Sequence, residues 1–223
     1  MMRHLLSDQT GEFAAIYDED VELVSVARPA AASLEALAEQ WSASRQVVQA
    51  QWEQAAGDLE APSAALSMSI DADRLGALSE EITLASDTLS ELLGCERIGI
   101  RVTTLRGPMC PRFHADQVPC RMLITIRGSG TEWIPSDDVN RALLASRDTD
   151  AAPIRDGGDI KHLATGNWSL LKGGAWNGHF GGVVHRSPHG AGERLLLSLD
   201  PIFQKPKSLN PPEFTAANPL SIA

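Results

Sequence analysis

The chain is poor in cysteine and in positive charge, and it has no long hydrophobic run. Its three cysteines are an odd number and form no C-x-x-C pair, so neither a disulfide framework nor a closely paired structural zinc site is expected. No apolar stretch approaches the roughly 20 residues that a membrane-spanning helix needs. The opening MMRHLLSDQTGEF lacks the apolar run of a secretory signal, so a cytoplasmic location with reduced thiols is the expectation. Lys and Arg number 19 against 29 Asp and Glu, giving a formal net charge of −10 and a pI of about 5.0. Such a balance repels phosphate backbones and anionic lipid and argues against non-specific nucleic-acid or membrane binding. A local basic cluster around a small anion remains compatible with it. No internal repeat of solenoid period is present, and nothing in the composition bears on oligomeric state.

What is there is ordinary in bulk, 43% hydrophobic and 22% charged, as in a folded globular chain, and uneven in texture. Residues 21–27, VELVSVA, alternate and are rich in Val, which predicts a strand ended by Pro29. Leu34, Leu37, Trp41, Val48 and Trp52 recur at spacings of three, four and seven and predict one helical stripe, with both tryptophans in the core. The run APS at 61–63 is expected to break that helix. A second helix carries Leu75, Leu78, Ile82, Ala85, Leu89 and Leu92 on one face and stops at Gly94.

From Glu96 the texture changes to short β-type runs separated by Gly, Pro, Asn and Asp: RIGIRVTTL, the stretch around FHAD, RMLITIRG, TEWI, WSLLKG, GGVVHRS and RLLLSLD. Many short strands with Gly-rich turns predict a sandwich or barrel. The expected organisation is α+β: an N-terminal strand and helices (1–95) bracing a β core (96–200), then a Pro-rich tail (201–223). Residues 145–159 form a polar loop long enough for a lid or an exposed insertion.

The chemistry concentrates in CPRFHADQVPC, residues 110–120. On a strand, residues two apart share a face, so His114 and Asp116 would present an imidazole and a carboxylate side by side. These are two of the three ligands of a facial triad, which leaves positions open on an octahedral metal. VVHRSP supplies a second histidine, His185, sixty-nine residues after Asp116, and Arg194 follows nine residues later. By alternation Arg194, Leu196 and Ser198 share a face, and an arginine there offers a two-point clamp for a carboxylate. Open metal positions beside such a clamp suit a 2-oxo acid.

His114-x-Asp116, His185 and Arg194 resemble the double-stranded β-helix (cupin-like jelly-roll) core of the Fe(II)/2-oxoglutarate-dependent dioxygenases. The resemblance covers about residues 96–200. CPRFHADQVPCRMLITIRGSGTEW, LLKGGAW and VVHRSP are also similar to an uncharacterised bacterial family of unknown function that shares this arrangement. The resemblance implies iron on the triad and 2-oxoglutarate held by Arg194. The small-molecule branch often has R-x-S after the distal histidine; here Leu196 takes the serine position and Ser198 lies two further on.

Other residues compete for roles. Lys172 is either a cavity-facing anion ligand or a solvated strand lysine. Cys110 and Cys120 are buried spectators, zinc ligands or, last, a disulfide, and Cys95 reads as a buried inert residue. Arg186 should point away from its neighbour His185 as a surface ion-pair residue. His162, His179 and His189 read as exposed loop histidines, Trp133 and Trp176 as core or pocket wall. Two functions follow: an Fe(II)/2-oxoglutarate-dependent oxygenase acting on an unknown substrate, or a non-redox protein of the same fold holding zinc or another divalent ion for homeostasis or sensing.

Overall fold

A computed structural model describes residues 1–28, 36–39, 41, 47–70, 72–146, 151–176, 181–190 and 192–203. The strands are β1 (Arg3–Ser7), β2 (Val21–Val26), β3 (Gln49–Ala55), β4 (Arg97–Leu105), β5 (Cys120–Arg127), β6 (Glu132–Ile134), β7 (Lys161–His162), β8 (Trp168–Lys172), β9 (Val184–Arg186) and β10 (Arg194–Ile202). Helices α1 (Ala61–Leu66), α2 (Ala72–Leu93) and α3 (Arg141–Ala145) accompany them, and residues 36–39 and 41 are helical as well. A seven-stranded sheet runs in the order β1-β2-β8-β5-β10-β4-β3 and a three-stranded sheet in the order β7-β6-β9. All pairings are antiparallel except β1 with β2. Among the described residues no helix is long and apolar enough to cross a membrane.

The major sheet has two apolar faces. On the outer one, Val24, Val26, Ile98, Ile100, Val102, Met122, Ile124, Leu170, Leu195, Leu197 and Leu199 pack with Leu78, Ile82, Ala85, Leu89 and Leu93 of α2 in one core. Helix α2 lies over β4 and β10 and ends at Gly94, whose φ of 61° supplies the left-handed cap expected of it. Between the two sheets Leu23, Leu105, Leu123, Trp133, Leu163, Leu171, Val183 and Leu196 form a smaller cluster.

Three expectations are corrected. Trp52 lies on strand β3, opposite Ile100 of β4, and not on the helix that carries Leu37 and Trp41. Its neighbourhood alternates between exposed and covered residues, and pairing along the nine-residue β4 outweighs a helical spacing that matched by coincidence. Leu34 falls outside the described residues. The APS run opens α1 instead of breaking a helix: Pro62 sits in the first turn, where its missing N–H costs nothing, and Asp58 Oδ1 accepts from the amides of Glu60 and Ala61 at 3.1 and 3.0 Å. The stretch around FHAD is no strand; it touches the minor sheet at one residue, His114.

The first ninety-five residues do more than brace the β core. They contribute β1, β2 and β3 to the major sheet itself, at both of its edges. β10 runs on through Ile202, and residues beyond 203 fall outside the description. Of the polar loop 145–159, Ile154 bridges Val139 and packs against a cluster containing Phe113, Ile134 and Val184.

Candidate metal centre

His114 and His185 are brought together by backbone. Each amide donates to the other's carbonyl, at 3.0 and 2.9 Å, a reciprocal antiparallel pair that leaves the two rings 4.6 Å apart. The ring Nδ1 of His114 lies 3.0 Å from the Arg112 carbonyl and that of His185 lies 3.1 Å from the Val183 carbonyl. A carbonyl only accepts, so Nδ1 carries a proton in both rings and Nε2 is the atom turned toward a metal. Both Nε2 atoms face Asp116, at 3.6 Å from Oδ1 for His114 and 3.3 Å from Oδ2 for His185.

Asp116 comes from an irregular loop, and glycines hold that loop against the sheet. Gly173 donates to Pro119 O at 2.8 Å and Gly174 to Asp116 O at 2.7 Å. A Cβ on Gly173 would stand 1.9 Å from Val118 O, so only glycine allows the approach. The GG of LLKGGAW is thereby the seat of the H-x-D loop. Arg121 of β5 donates to Asp116 Oδ2 at 2.7 Å and grips Asp200 with two further bonds of 2.7 Å.

The electrostatics favour an ionised acid at Asp116. Burial pushes the Asp116 carboxyl up, but the hydrogen bond from His185 and the charges of His185, Arg121 and His114 outweigh it and bring the group down to about 2. Burial and the neighbouring His185 lower His114. The three candidate donor atoms lie within 4.8 Å of one another. With bonds of about 2.1 Å, adjacent donors on an octahedral ion stand about 3 Å apart, so donor atoms already within 4.8 Å of one another need to close by less than about 2 Å. Two imidazoles of fixed tautomer and one carboxylate fit a first-row divalent ion such as iron(II).

Arg194 lies on β10, only 2% exposed. Its Nη2 reaches Thr131 Oγ1 at 3.2 Å and Thr125 Oγ1 at 3.5 Å, while Nε and Nη1 have no partner among the described residues. Burial lowers the guanidinium to about 10. Ser198 shares the inner face: with His114, His185, Arg101, Arg121, Leu123 and Thr131 it lines a cavity of about 40 Å³. A groove of about 300 Å³ along β3 and β4 adjoins that cavity, sharing Arg101 and Met109 with it.

Other expected site residues separate from this group. Lys172 is buried elsewhere, donating to Asp18 O at 2.7 Å with its ammonium 5.2 Å from the Trp176 ring centroid. Cys120 is fully buried in the main core, and burial raises its thiol. Cys110 borders the cavity through a segment hydrogen-bonded to Ser187 but is not among the converging donors. No disulfide joins Cys95, Cys110 or Cys120 among the described residues. Arg186 pairs with Glu132 at 2.6 Å as an ion-pair residue, but it is half-buried over Phe113 and not on open surface. His162 is exposed on β7, His189 borders a separate cavity, and His179 falls outside the described residues. Trp133 and Trp176 are buried, as expected.

Arg121, Asp200, Thr125 and Thr131 were not legible as site residues. Alternation along RMLITIR puts Arg121, Leu123 and Thr125 on one face, but nothing local joins Arg121 to an acid seventy-nine residues away.

Comparison with solved structures gives the class. A dioxygenase for auxin oxidation from Arabidopsis thaliana, in its 2-oxoglutarate binary complex, superposes with a TM-score of 0.53 over 95% of this chain and 96% of that one, at 13% identity. The rice dioxygenase for auxin oxidation gives 0.50 over 96% and 87%, at 14% identity. Likeness at such identity defines the fold alone, the double-stranded β-helix of the 2-oxoglutarate oxygenases, here carrying a His-Asp-His group at which a metal can bind. Residues 7–200 match the family described as "Protein of unknown function (DUF1826)", and the chain belongs to it. No curated protein matches the chain.

Proposed function

We propose that this protein is an oxygenase that uses iron(II) and 2-oxoglutarate to oxidise a second, small substrate. The observation that carries the reading is Arg194, a buried guanidinium on the strand that follows the distal histidine, with two nitrogens that have no partner among the described residues. A buried cation left short of partners is costly, and a carboxylate from a cosubstrate would relieve that cost. His114, Asp116 and His185 would hold the iron. When bound, iron with 2-oxoglutarate and O2 supplies the oxidising power, and 2-oxoglutarate leaves as succinate and CO2.

The chain's own contribution is orientation and exclusion of water. The carbonyls of Arg112 and Val183 keep both rings in the metal-binding tautomer. Arg194, with Thr125 and Thr131 beside it, would bind the distal carboxylate of 2-oxoglutarate, and Ser198 on the same face offers a hydroxyl along its length. Leu123 and Leu196 give the cavity apolar wall. Arg101 at its mouth bonds Gln51 Oε1 at 3.3 Å and has no carboxylate partner among the described residues, which favours a primary substrate bearing an anionic group.

The test is binding of 2-oxoglutarate to the iron(II) form under nitrogen, read by a visible metal-to-ligand band, followed by succinate release in air. Arg194→Ala should weaken binding by about 2–5 kcal/mol, and Arg194→Lys should recover only part of it, because an ammonium lacks the planar fork. Iron-loaded wild type that ignores millimolar 2-oxoglutarate would leave the non-redox reading, zinc or another divalent ion on the same three residues.

A further inference from the structure

The three candidate ligands are held by unequal means. His114 and His185 are fixed through main chain, each locked to the other by the paired backbone bonds. Asp116 sits in the irregular loop between that bridge and β5; its carbonyl accepts from Gly174, but its carboxylate is oriented by side chains alone. Apart from the two histidines themselves, the side chain that does this is Arg121. A guanidinium is a rigid planar fork, and this one is fixed at two points: Nε and Nη2 bind the two oxygens of Asp200, each at 2.7 Å. The remaining nitrogen, Nη1, then points at Asp116 Oδ2, 2.7 Å away. Arg121 and Asp200 stand on the adjacent central strands β5 and β10, so the clamp ties a loop carboxylate to the middle of the sheet.

The charges explain why the clamp has two members. Arg121 alone would neutralise Asp116 and repel a divalent cation. With Asp200 the trio sums to one negative charge, and the site keeps its attraction for a metal.

We infer that Arg121, braced by Asp200, is a positioning residue that orients the Asp116 carboxylate for a divalent cation while Asp200 restores the negative charge that Arg121 removes. The inference rests on the metal site proposed above and concerns ion binding, not turnover. By holding Oδ2, Arg121 leaves Oδ1 as the less engaged oxygen and favours contact with an ion through one oxygen. Partners of this kind, one bond behind the ligand, typically change metal affinity 10–100-fold when removed.

The test uses the full chain and cobalt(II) alone, titrated by calorimetry and by the visible ligand-field spectrum. Arg121→Lys keeps the charge and loses the fork; Arg121→Met loses both; Asp200→Asn leaves Arg121 in place but loosens its brace and removes a negative charge. All three should weaken cobalt(II) binding by about tenfold or more, and Arg121→Lys should alter the spectrum of the bound ion, which a general loss of stability would not do. Asp200→Asn, which does not touch Asp116, keeps the test decisive should either Arg121 variant fold poorly. If Arg121→Lys and Asp200→Asn bind cobalt(II) as wild type does, the positioning role is wrong and the metal site stands. Tighter binding by Arg121→Met would make Arg121 merely a repelling charge and overturn the inference equally. If wild type itself binds no cobalt(II), the metal reading fails and takes this inference with it.

Discussion

Strand β10 sends Leu195, Leu197 and Leu199 to the face of the sheet that packs under α2, and Arg194, Leu196, Ser198 and Asp200 to the face that borders the His-Asp-His group. The neighbouring strand β5 divides in the same way, with Met122 and Ile124 outward and Arg121, Leu123 and Thr125 inward. One backbone therefore carries two chemistries, sorted by the period-two alternation of a strand. The outer face is where burial stabilises the fold. The inner face holds charged and hydroxyl groups at an energetic cost, which paired partners and ligands offset. The larger core lies on one side of the sheet and the candidate metal centre, beside a smaller apolar cluster, on the other, so substitutions on the two faces should have different signatures.

The largest effect is expected on the outer face. Leu197→Ala, at a fully buried position, should cost about 2–5 kcal/mol in denaturant unfolding, while the folded fraction still binds one cobalt(II). Loss of metal affinity in proportion to stability would break the separation of faces.

Acid should act next, through the inner face. Asp116 titrates near 2 in the folded chain against an ordinary 3.8. Its contribution is therefore complete above about pH 4 and is lost as pH falls through the folded value. In metal-free protein the wild type should lose about 2 kcal/mol more than Asp116→Asn between pH 5 and pH 2. Parallel acid curves for the two proteins would remove Asp116 from the account.

A smaller effect of opposite sign is expected at Arg194. Burial lowers its guanidinium from the ordinary arginine range to about 10, so below pH 10 the folded state carries a buried charge at a constant cost of about 3 kcal/mol. The cost is released only as pH rises through 10. Arg194→Met removes it together with two long hydrogen bonds and should stabilise the ligand-free protein by about 1–2 kcal/mol while abolishing 2-oxoglutarate binding. A destabilised variant would mean that the guanidinium is already satisfied. The smallest change is expected from Cys110→Ser, within about 0.5 kcal/mol, with no thiolate charge-transfer band in the cobalt(II) spectrum of either protein.

Much of this was legible beforehand. The strands from residue 97 onward, apart from the two-residue β7, and the face and stop of α2 follow from alternation, helical periodicity and Gly94, all short-range signals. His114, Asp116, His185 and Arg194 were recognisable because their side-chain types are scarce and their order along the chain is informative. Local signals failed where pairing decided. Residues 49–55 are polar enough to read either way and become a strand because β4 offers an edge. His114 and Asp116 converge through a one-residue bridge and a glycine seat, without the strand that the H-x-D spacing suggests.

By itself the sequence determined the α+β character of the chain, the apolar stripe of α2, the inward and outward sets on each central strand, and the identity of three candidate metal ligands and one candidate anion clamp. Those are properties of neighbours within one turn or one pleat. Only the tertiary structure decided that β1, β2 and β3 complete the major sheet, that Lys172 and Cys120 lie apart from the site, and that Asp200 reaches across to hold Arg121 against Asp116. Each of these depends on which strands lie side by side, and that is set by how the whole chain buries its apolar faces, a quantity that no short stretch of residues contains.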